Sequence, residues 1–422
     1  MHPFERATRA QTARAVVGVD AGKFEHALVI RPRGQPDGKP LRFATTRAGF
    51  TTALSALHAA MSGGSPSEVL IAIEFAGYYG FTFAHFLHAQ GFPIVSVLPA
   101  HTKRYKEVVH GQPLKTDEKD AATIVALAAQ GHYVTFPFLA SDYAALRYLV
   151  SARERLSTQR RGTITRLKSL LQVVWPEFET IFPNFGKATP LVLLGAFPTP
   201  ADLLEARKAR VLAVLRQASR GHHAEATYGA LRDSARATLA LPGAQRTLGD
   251  ELRLLCAQFA LYEQQIATLE AAMVRAMAPL PEVPCLLSIP GVAPVTAAIF
   301  LGSIGDPAAY GSSREILKVA GLSLLTRQSG IQRGRDRISK RGRPVLRQHA
   351  YMLAVRSIRE GGLFYAEYQG LLARGHATAK KKAVVAVSRS ALKLLFAIAR
   401  DRRRFTVAPP PRSGPSRIAG GP

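Results

Sequence analysis

The chain has 422 residues, with 56 lysines and arginines against 29 aspartates and glutamates, a formal net charge of +27 and 47% hydrophobic residues. This composition supports packed cores, excludes a disordered chain, suggests two or three domains and calls for a polyanionic partner, nucleic acid first. Two cysteines, Cys256 and Cys285, exclude a disulfide framework and a zinc finger, and no apolar run is long and clean enough for a membrane span.

In chain order, the start Met1-His2-Pro3-Phe4 lacks the apolar core of a signal peptide, so a bacterial, nucleoid-associated cytoplasmic protein with no membrane partner is expected. Val16 to Asp20 reads as a strand, His26 to Arg31 as its hairpin partner, and Leu41 to Thr45 as a third strand. Phe50 to Met61 has helical spacing, and Val69 to Phe75 is the continuous apolar run of a buried strand. Tyr79 to Gln90 reads as a helix closed by Gly91, Ile94 to Leu98 as a strand, and Asp117 to Leu127 as a helix. A three-strand start followed by helix, strand, helix and strand is the ribonuclease-H-like order, and it predicts an α/β domain over residues 1–140.

Residues 141–282 read as helical. Leu146 to Val174 and Leu252 to Met277 carry charges at i,i+4 spacing with few breakers, as in a long antiparallel coiled-coil arm. Between them lies an insert with no clear period, opened by the proline-containing stretch Trp175 to Pro200. Residues 283–405 read as a second, mainly helical domain. Its segment Leu287 to Ala298 resembles a helix-hairpin-helix turn, in which Gly291 would let the backbone approach a phosphate. A Gly/Arg loop from Gln328 to Arg337 runs on through Ser339-Lys340-Arg341-Gly342-Arg343-Pro344 into a helix from Val345 to Arg359. Residues 406–422, with Pro409-Pro410-Pro411, are compositionally a disordered end.

Four acids carry the first chemical signal. Asp20 and Glu74 each end an apolar strand, and Asp117 and Asp120, three apart, share one face of a helix. Strand-end acids beside a helical pair suit hard divalent cations such as Mg²⁺ (or Mn²⁺), which take carboxylate oxygens and assist phosphoryl transfer. Equally, an acid pair at a helix start can serve only the helix dipole, and Glu118 competes for either position.

Ser329 carries the second signal. A Ser-Gly pair in an arginine-rich loop is either a plain turn or a nucleophile with backbone access to phosphate. Arg333, Arg335 and Arg337 stand near it in sequence to stabilise phosphoryl oxygens, and no histidine is an obvious base. Lys340, Arg341, Arg343 and Arg347 extend the basic segment, and further clusters stand at 380–382 and 402–404. Together they predict extended phosphate contacts with steep salt dependence. Aromatic residues are sparse among them, which favours duplex or folded RNA over an extended single strand.

The motifs GVDAGKFEHALVI, Glu74 with Gly77 and Tyr78, KTDEKDA, and the block from Ser288-Ile289-Pro290-Gly291 through Ser329-Gly330 to Leu346-Arg347 resemble the DEDD transposases of the insertion-sequence-110/1111 group, in the same order. The resemblance covers roughly residues 15–135 and 283–400. It implies a RuvC-like ribonuclease-H domain, a coiled-coil connection and a transposase domain. It further implies a metal site on Asp20, Glu74, Asp117 and Asp120, and a catalytic serine at Ser329 that forms a phosphoserine link to DNA. The implied partners are donor and target DNA, a structured non-coding bridge RNA, and further copies of the chain, from dimer to tetramer, with a composite site shared between subunits. Two other readings fit the residues alone. One is a RuvC-like metal-dependent nuclease or junction resolvase that uses water; the other is a non-enzymatic architectural protein.

Overall fold

The structure, a computed structural model, describes residues 3–61, 63–75, 77–110, 117–136, 138, 141–240, 245–325, 328–329, 332–333, 337–374 and 379–406; at 3, 4, 109, 110, 117, 118, 141, 328, 329, 332, 333 and 379 it describes the backbone alone. The tail from residue 407 and Arg335 therefore lie outside the described residues. The chain forms two compact units, Met1–Phe138 and Leu139–Pro422.

The first unit is built on one mixed sheet. Its strands are β1 (Ala15–Ala21), β2 (Glu25–Pro32), β3 (Leu41–Ala44), β4 (Val69–Glu74), β5 (Ile94–Val97) and β6 (Val134–Thr135), in the order β3-β2-β1-β4-β5-β6. The β1–β2 and β2–β3 pairs are antiparallel, β1–β4 and β4–β5 are parallel, and β6 closes the edge antiparallel to β5. This topology is consistent with the ribonuclease-H-like order read from the sequence.

Among the described residues, α-helices α1 (Pro3–Thr12), α2 (Arg47–Met61), α3 (Phe81–Ala89), α4 (Pro99–His110) and α5 (Asp117–Ala129) accompany the sheet. Alternation along β1 and β4 decides which face each helix covers. Val17, Val19, Ile71 and Ile73 pack with Phe50, Leu57, Phe83 and Leu87 of α2 and α3. Val16, Leu70 and Ala72 pack on the other face with Ile124, Val125 and Ala128 of α5. Both faces are covered, so both strands are apolar almost throughout. Gly18 sets how closely α5 approaches β1. A Cβ there would stand 2.4 Å from the Ala121 carbonyl oxygen and 2.7 Å from Val125 Cγ2, so a larger residue would push the helix away.

In the second unit α6 (Ser141–Val174) pairs with α12 (Gln245–Met277). Arg153 meets Glu270 at 2.7 Å and Arg166 meets Glu251 at 2.9 Å, a register that requires antiparallel helices. Between them come α7 (Phe178–Ile181), α8 (Ala188–Ala196), α9 (Pro200–Glu205), α10 (Lys208–Ser219) and α11 (Glu225–Ala237). These five helices close a separate apolar core at one end of the arm. It gathers Trp175, Phe178, Leu194 and Leu215 with Leu167 and Leu171 of α6 and Leu252 and Phe259 of α12.

The other end of the arm belongs to a second core. Tyr143, Leu146 and Val150 of α6 and Met273 and Met277 of α12 pack with α13 (Val283–Leu287), α14 (Pro294–Ile304), α15 (Ser313–Ala320), α16 (Pro344–Ser357) and α18 (Ala379–Asp401). A further helix, α17 (Tyr365–Ala373), packs on α18. Helix α14 is buried from Thr296 to Ile304, and Gly302 lets it approach α6, where a Cβ would stand 2.9 Å from Val150 Cγ2. Across the same contact Arg147 donates to the carbonyls of Gly302 and Ser303 at 3.1 and 3.2 Å. The segment read as helix-hairpin-helix-like consists of α13, a turn with Gly291 at φ +83°, and α14. Buried Glu282 ties three stretches together: it accepts from the Tyr143 hydroxyl at 3.0 Å and from Arg402 Nε at 3.1 Å.

Between α15 and α16 lies a nested β hairpin. The outer pair is β7 (Leu324–Leu325) with β10 (Arg337–Ile338), and the inner pair is β8 (Gln328–Ser329) with β9 (Gln332–Arg333).

Candidate active site

The site in the first unit begins with strand register. Asp20 and Glu74 are direct partners on the parallel strands β1 and β4, at the carboxyl ends of both. Parallel neighbours with their side chains at the same pleat position bring the two carboxylates to one edge of the sheet. Asp120 lies one turn into α5, the helix that Gly18 allows to lie against β1. Asp117 opens that helix, and its backbone alone is described.

The electrostatics show that the acids share a locale. Burial pushes the Glu74 pKa above the ordinary carboxylate value, and the nearby Asp120 carboxylate pushes in the same direction. The Thr102 hydroxyl and the Lys106 ammonium work the other way. Lys106 also forms an ion pair with Asp120, and both side chains are largely shielded from solvent. One ammonium from α4 therefore compensates two carboxylates that would otherwise repel in a partly dry site.

That arrangement fits a divalent cation. The donors are carboxylate oxygens, which hard cations take, and the Lys106 ammonium occupies their neighbourhood as an internal stand-in for positive charge. Among the described residues no three such side chains form a group that could hold a metal ion; the side chain of Asp117, the fourth acid, lies outside them.

Thr102 and Lys106 escaped sequence reasoning. They stand at i,i+4 on a helix that the sequence reading did not find, and that spacing beside the KTDEKDA motif was the available signal. Two exposed aromatics follow strands β1 and β4. Phe24, in the turn after β1, is 76% exposed, and Tyr78, shortly after β4, is 59% exposed. Both follow the strand ends that carry the acids.

In the second unit Ser329 ends β8 and pairs with Gln332 of β9, while Arg333 pairs with Gln328. For all four the backbone alone is described. Arg337 on β10 is exposed, as are Lys340 and Arg341 in the loop beyond it. That loop is fixed by the backbone: Ser339 donates to Ser323 at 2.8 Å, Lys340 to Gly321 at 2.9 Å and Arg343 to Val319 at 2.7 Å. Gly342 has φ +154°, and a Cβ there would stand 2.4 Å from the Val319 carbonyl oxygen. Arg343 is half-buried, and desolvation lowers its pKa. Arg347 turns inward and donates to the carbonyls of Ala320 at 2.8 Å and Lys340 at 3.4 Å, so its guanidinium helps hold the loop on the end of α15. The structure thus puts Arg337, Lys340 and Arg341 in solvent and gives Arg347 a framing contact.

Comparison with known proteins converges on one group. A family model described as a transposase, of the DEDD IS110 type, matches residues 17–176, and a second, described as the transposase IS116/IS110/IS902 family, matches residues 283–369. The chain is 26% identical over 401 residues to the "Insertion element IS116 uncharacterized 44.8 kDa protein" of Streptomyces clavuligerus, covering 94% of this chain and 97% of the relative. It is 27% identical over 387 residues to the corresponding IS900 protein of Mycobacterium paratuberculosis, with 91% and 95% covered. An IS110 protein of Streptomyces coelicolor is 26% identical over 313 residues, with 73% and 76% covered.

Proposed function

The chain belongs to the IS110 family of transposases, enzymes that recombine DNA, and on that premise we propose that it moves an insertion sequence by cutting and rejoining strands through a phosphoserine intermediate. The acid half of the chemistry rests on a RuvC-like domain in the first unit, and the serine half on the nested hairpin of the second. The observation that carries the reading is the pairing of Asp20 with Glu74 at adjacent strand ends, with Asp120 and Lys106 drawn to the same edge.

In this reading the Ser329 hydroxyl attacks a backbone phosphate. The Oγ–P bond forms, the bond from phosphorus to the 3′ oxygen breaks, and the 3′ oxygen leaves with a proton; the reverse attack by a 3′ hydroxyl reseals the strand and frees the serine. Asp20, Glu74, Asp117 and Asp120 would hold Mg²⁺ (or Mn²⁺), which supplies electrostatic stabilisation of the phosphoryl and leaving oxygens when bound. Arg333, Arg335 and Arg337 neutralise charge on the substrate phosphate. Lys340, Arg341 and Arg343 extend that positive surface along the nucleic acid. Donor and target DNA are selected by pairing with a structured bridge RNA, and the chain works as a homo-oligomer in which subunits share a composite site.

The acid half is tested by excision of a marked insertion sequence from a plasmid. Glu74→Gln keeps the shape of the side chain and removes its charge, and it should lower excision by about 10² or more with little change in thermal stability. Excision within about twofold of the parent would remove Glu74 from the active site.

A further inference from the structure

A cleft of about 980 Å³ opens in the second unit between the β7–β10 ladder and the first turns of α18. Six cations surround it: Arg337 and Lys340 on the ladder side, and Lys380, Lys381, Lys382 and Arg389 on α18. Among the described residues no carboxylate lines it, and its remaining wall is aliphatic, built from Leu324, Ile338, Val385 and Ala386.

Two features favour an anion in this cleft. Lys380, Lys381 and Lys382 stand in the first turn of α18, where the helix dipole opposes positive charge, and no acid in that turn offsets them. The Nε of Arg389 is buried and has no hydrogen-bond partner among the described residues, which is costly for a charged donor.

The aliphatic wall narrows the choice of anion. A free phosphate would leave it wet, and a duplex keeps its bases stacked inside and presents only backbone. An unpaired nucleotide satisfies both parts of the cleft, with phosphates on the rim and the apolar face of a base on Ile338 and Val385. The scarcity of aromatic residues argues against a long stacked single strand, but a short unpaired segment needs only this wall.

We propose that the cleft binds a short single-stranded segment of polynucleotide, held by its phosphates on the six cations with an unpaired base against the aliphatic wall. The ligand class rests on the nucleic-acid reading above; the cleft shares Arg337 and Lys340 with that reading, and its test changes neither these two residues nor Ser329 nor the four acids.

The test uses the full-length protein and fluorescence anisotropy with labelled oligo-dT, oligo-rU and a DNA duplex, each about ten nucleotides long. The triple variant Lys381→Gln, Lys382→Gln, Arg389→Gln should bind single strands at least about tenfold more weakly, with a shallower salt slope, and bind the duplex within about twofold of the parent. Ala386→Glu, which places a charge on the aliphatic wall, should give the same selective loss with an unchanged circular dichroism spectrum. The oligo-dT and oligo-rU arms tell whether the segment is DNA or RNA. An equal loss for duplex and single strand, or no loss for either variant, would overturn the cleft. If the triple variant shows the selective loss while the parent never forms a covalent DNA adduct, the cleft stands and the phosphoserine reading fails. If the adduct forms and the triple variant binds single strands normally, the cleft alone fails.

Discussion

Lys106 pairs with Asp120 and acts to lower the Glu74 pKa, so one ammonium from outside the acid set compensates both carboxylates. Replacing it with methionine keeps the chain length and removes the charge. Glu74 and Asp120 are then left facing each other, and the fold should lose stability without added metal. Added Mg²⁺ should raise the melting temperature of Lys106→Met more than that of the parent, read by thermal shift. An equal or smaller Mg²⁺ shift would mean that Lys106 does not compensate the acids. A second residue acts in the other unit. Half-buried His349, near Arg153 and Arg356, has its pKa lowered to about 4, with desolvation the largest cause and the two arginines adding to it. The fold therefore favours the neutral imidazole. Its contribution is fully present above the unfolded value near 6.5 and is lost as pH falls from there through about 4. His349→Leu should flatten the fall in stability over that window, measured by chemical denaturation at several pH values; an unchanged fall would assign it to other groups.

Among the elements, the two cores of the second unit differ in how they can fail. The core at the insert end of the arm shares no buried residue with the core that holds α13 to α16 and α18. Trp175 is fully buried in it, with its indole N–H on Ser234 Oγ at 3.1 Å. Trp175→Ala should cost about 3–5 kcal/mol and melt the insert first, seen as early proteolysis between α6 and α12 while the rest stays protected. A single transition at the parent temperature would show that the two cores unfold as one. The strands and the long arm helices were legible because their cause is local: continuous apolar runs in β1 and β4, and charges at i,i+4 in α6 and α12. Helix α4 was not, because Pro-Ala-His-Thr-Lys-Arg-Tyr-Lys offers almost no apolar face; Thr102 is buried and Tyr105 and Lys106 are half-buried through tertiary contacts. The two-residue strands around Ser329 have no period to read. The basic segment marked Arg347 as a phosphate contact, but charge alone could not tell that it would turn to the carbonyls of Ala320 and Lys340. The insert between Trp175 and Gln245 was illegible for a related reason: its short helices are organised by a shared core and not by a repeat of their own.

At the scale of the whole molecule, the excess positive charge divides into parts with different work. Arginines along the arm, such as Arg153 and Arg166, are paired with glutamates of α12 and stabilise its register. Others, at the cleft and around the nested hairpin, face solvent or a cavity that among the described residues has no carboxylate in its lining. Net charge therefore overstates the surface available to a polyanion. The acids, too, are divided from the serine: Asp20, Glu74 and Asp120 stand in the first unit and Ser329 in the second. A water-using nuclease would need only the first unit, whereas a recombinase with a covalent intermediate needs both. The most direct measurement is to incubate the protein with its insertion-sequence end DNA and Mg²⁺, denature it, and map any DNA-linked peptide by mass spectrometry. The account predicts a phosphodiester adduct on Ser329 that disappears in Ser329→Ala while nucleic-acid binding persists. Strand cleavage that continues in Ser329→Ala, with no adduct on the parent, would contradict it.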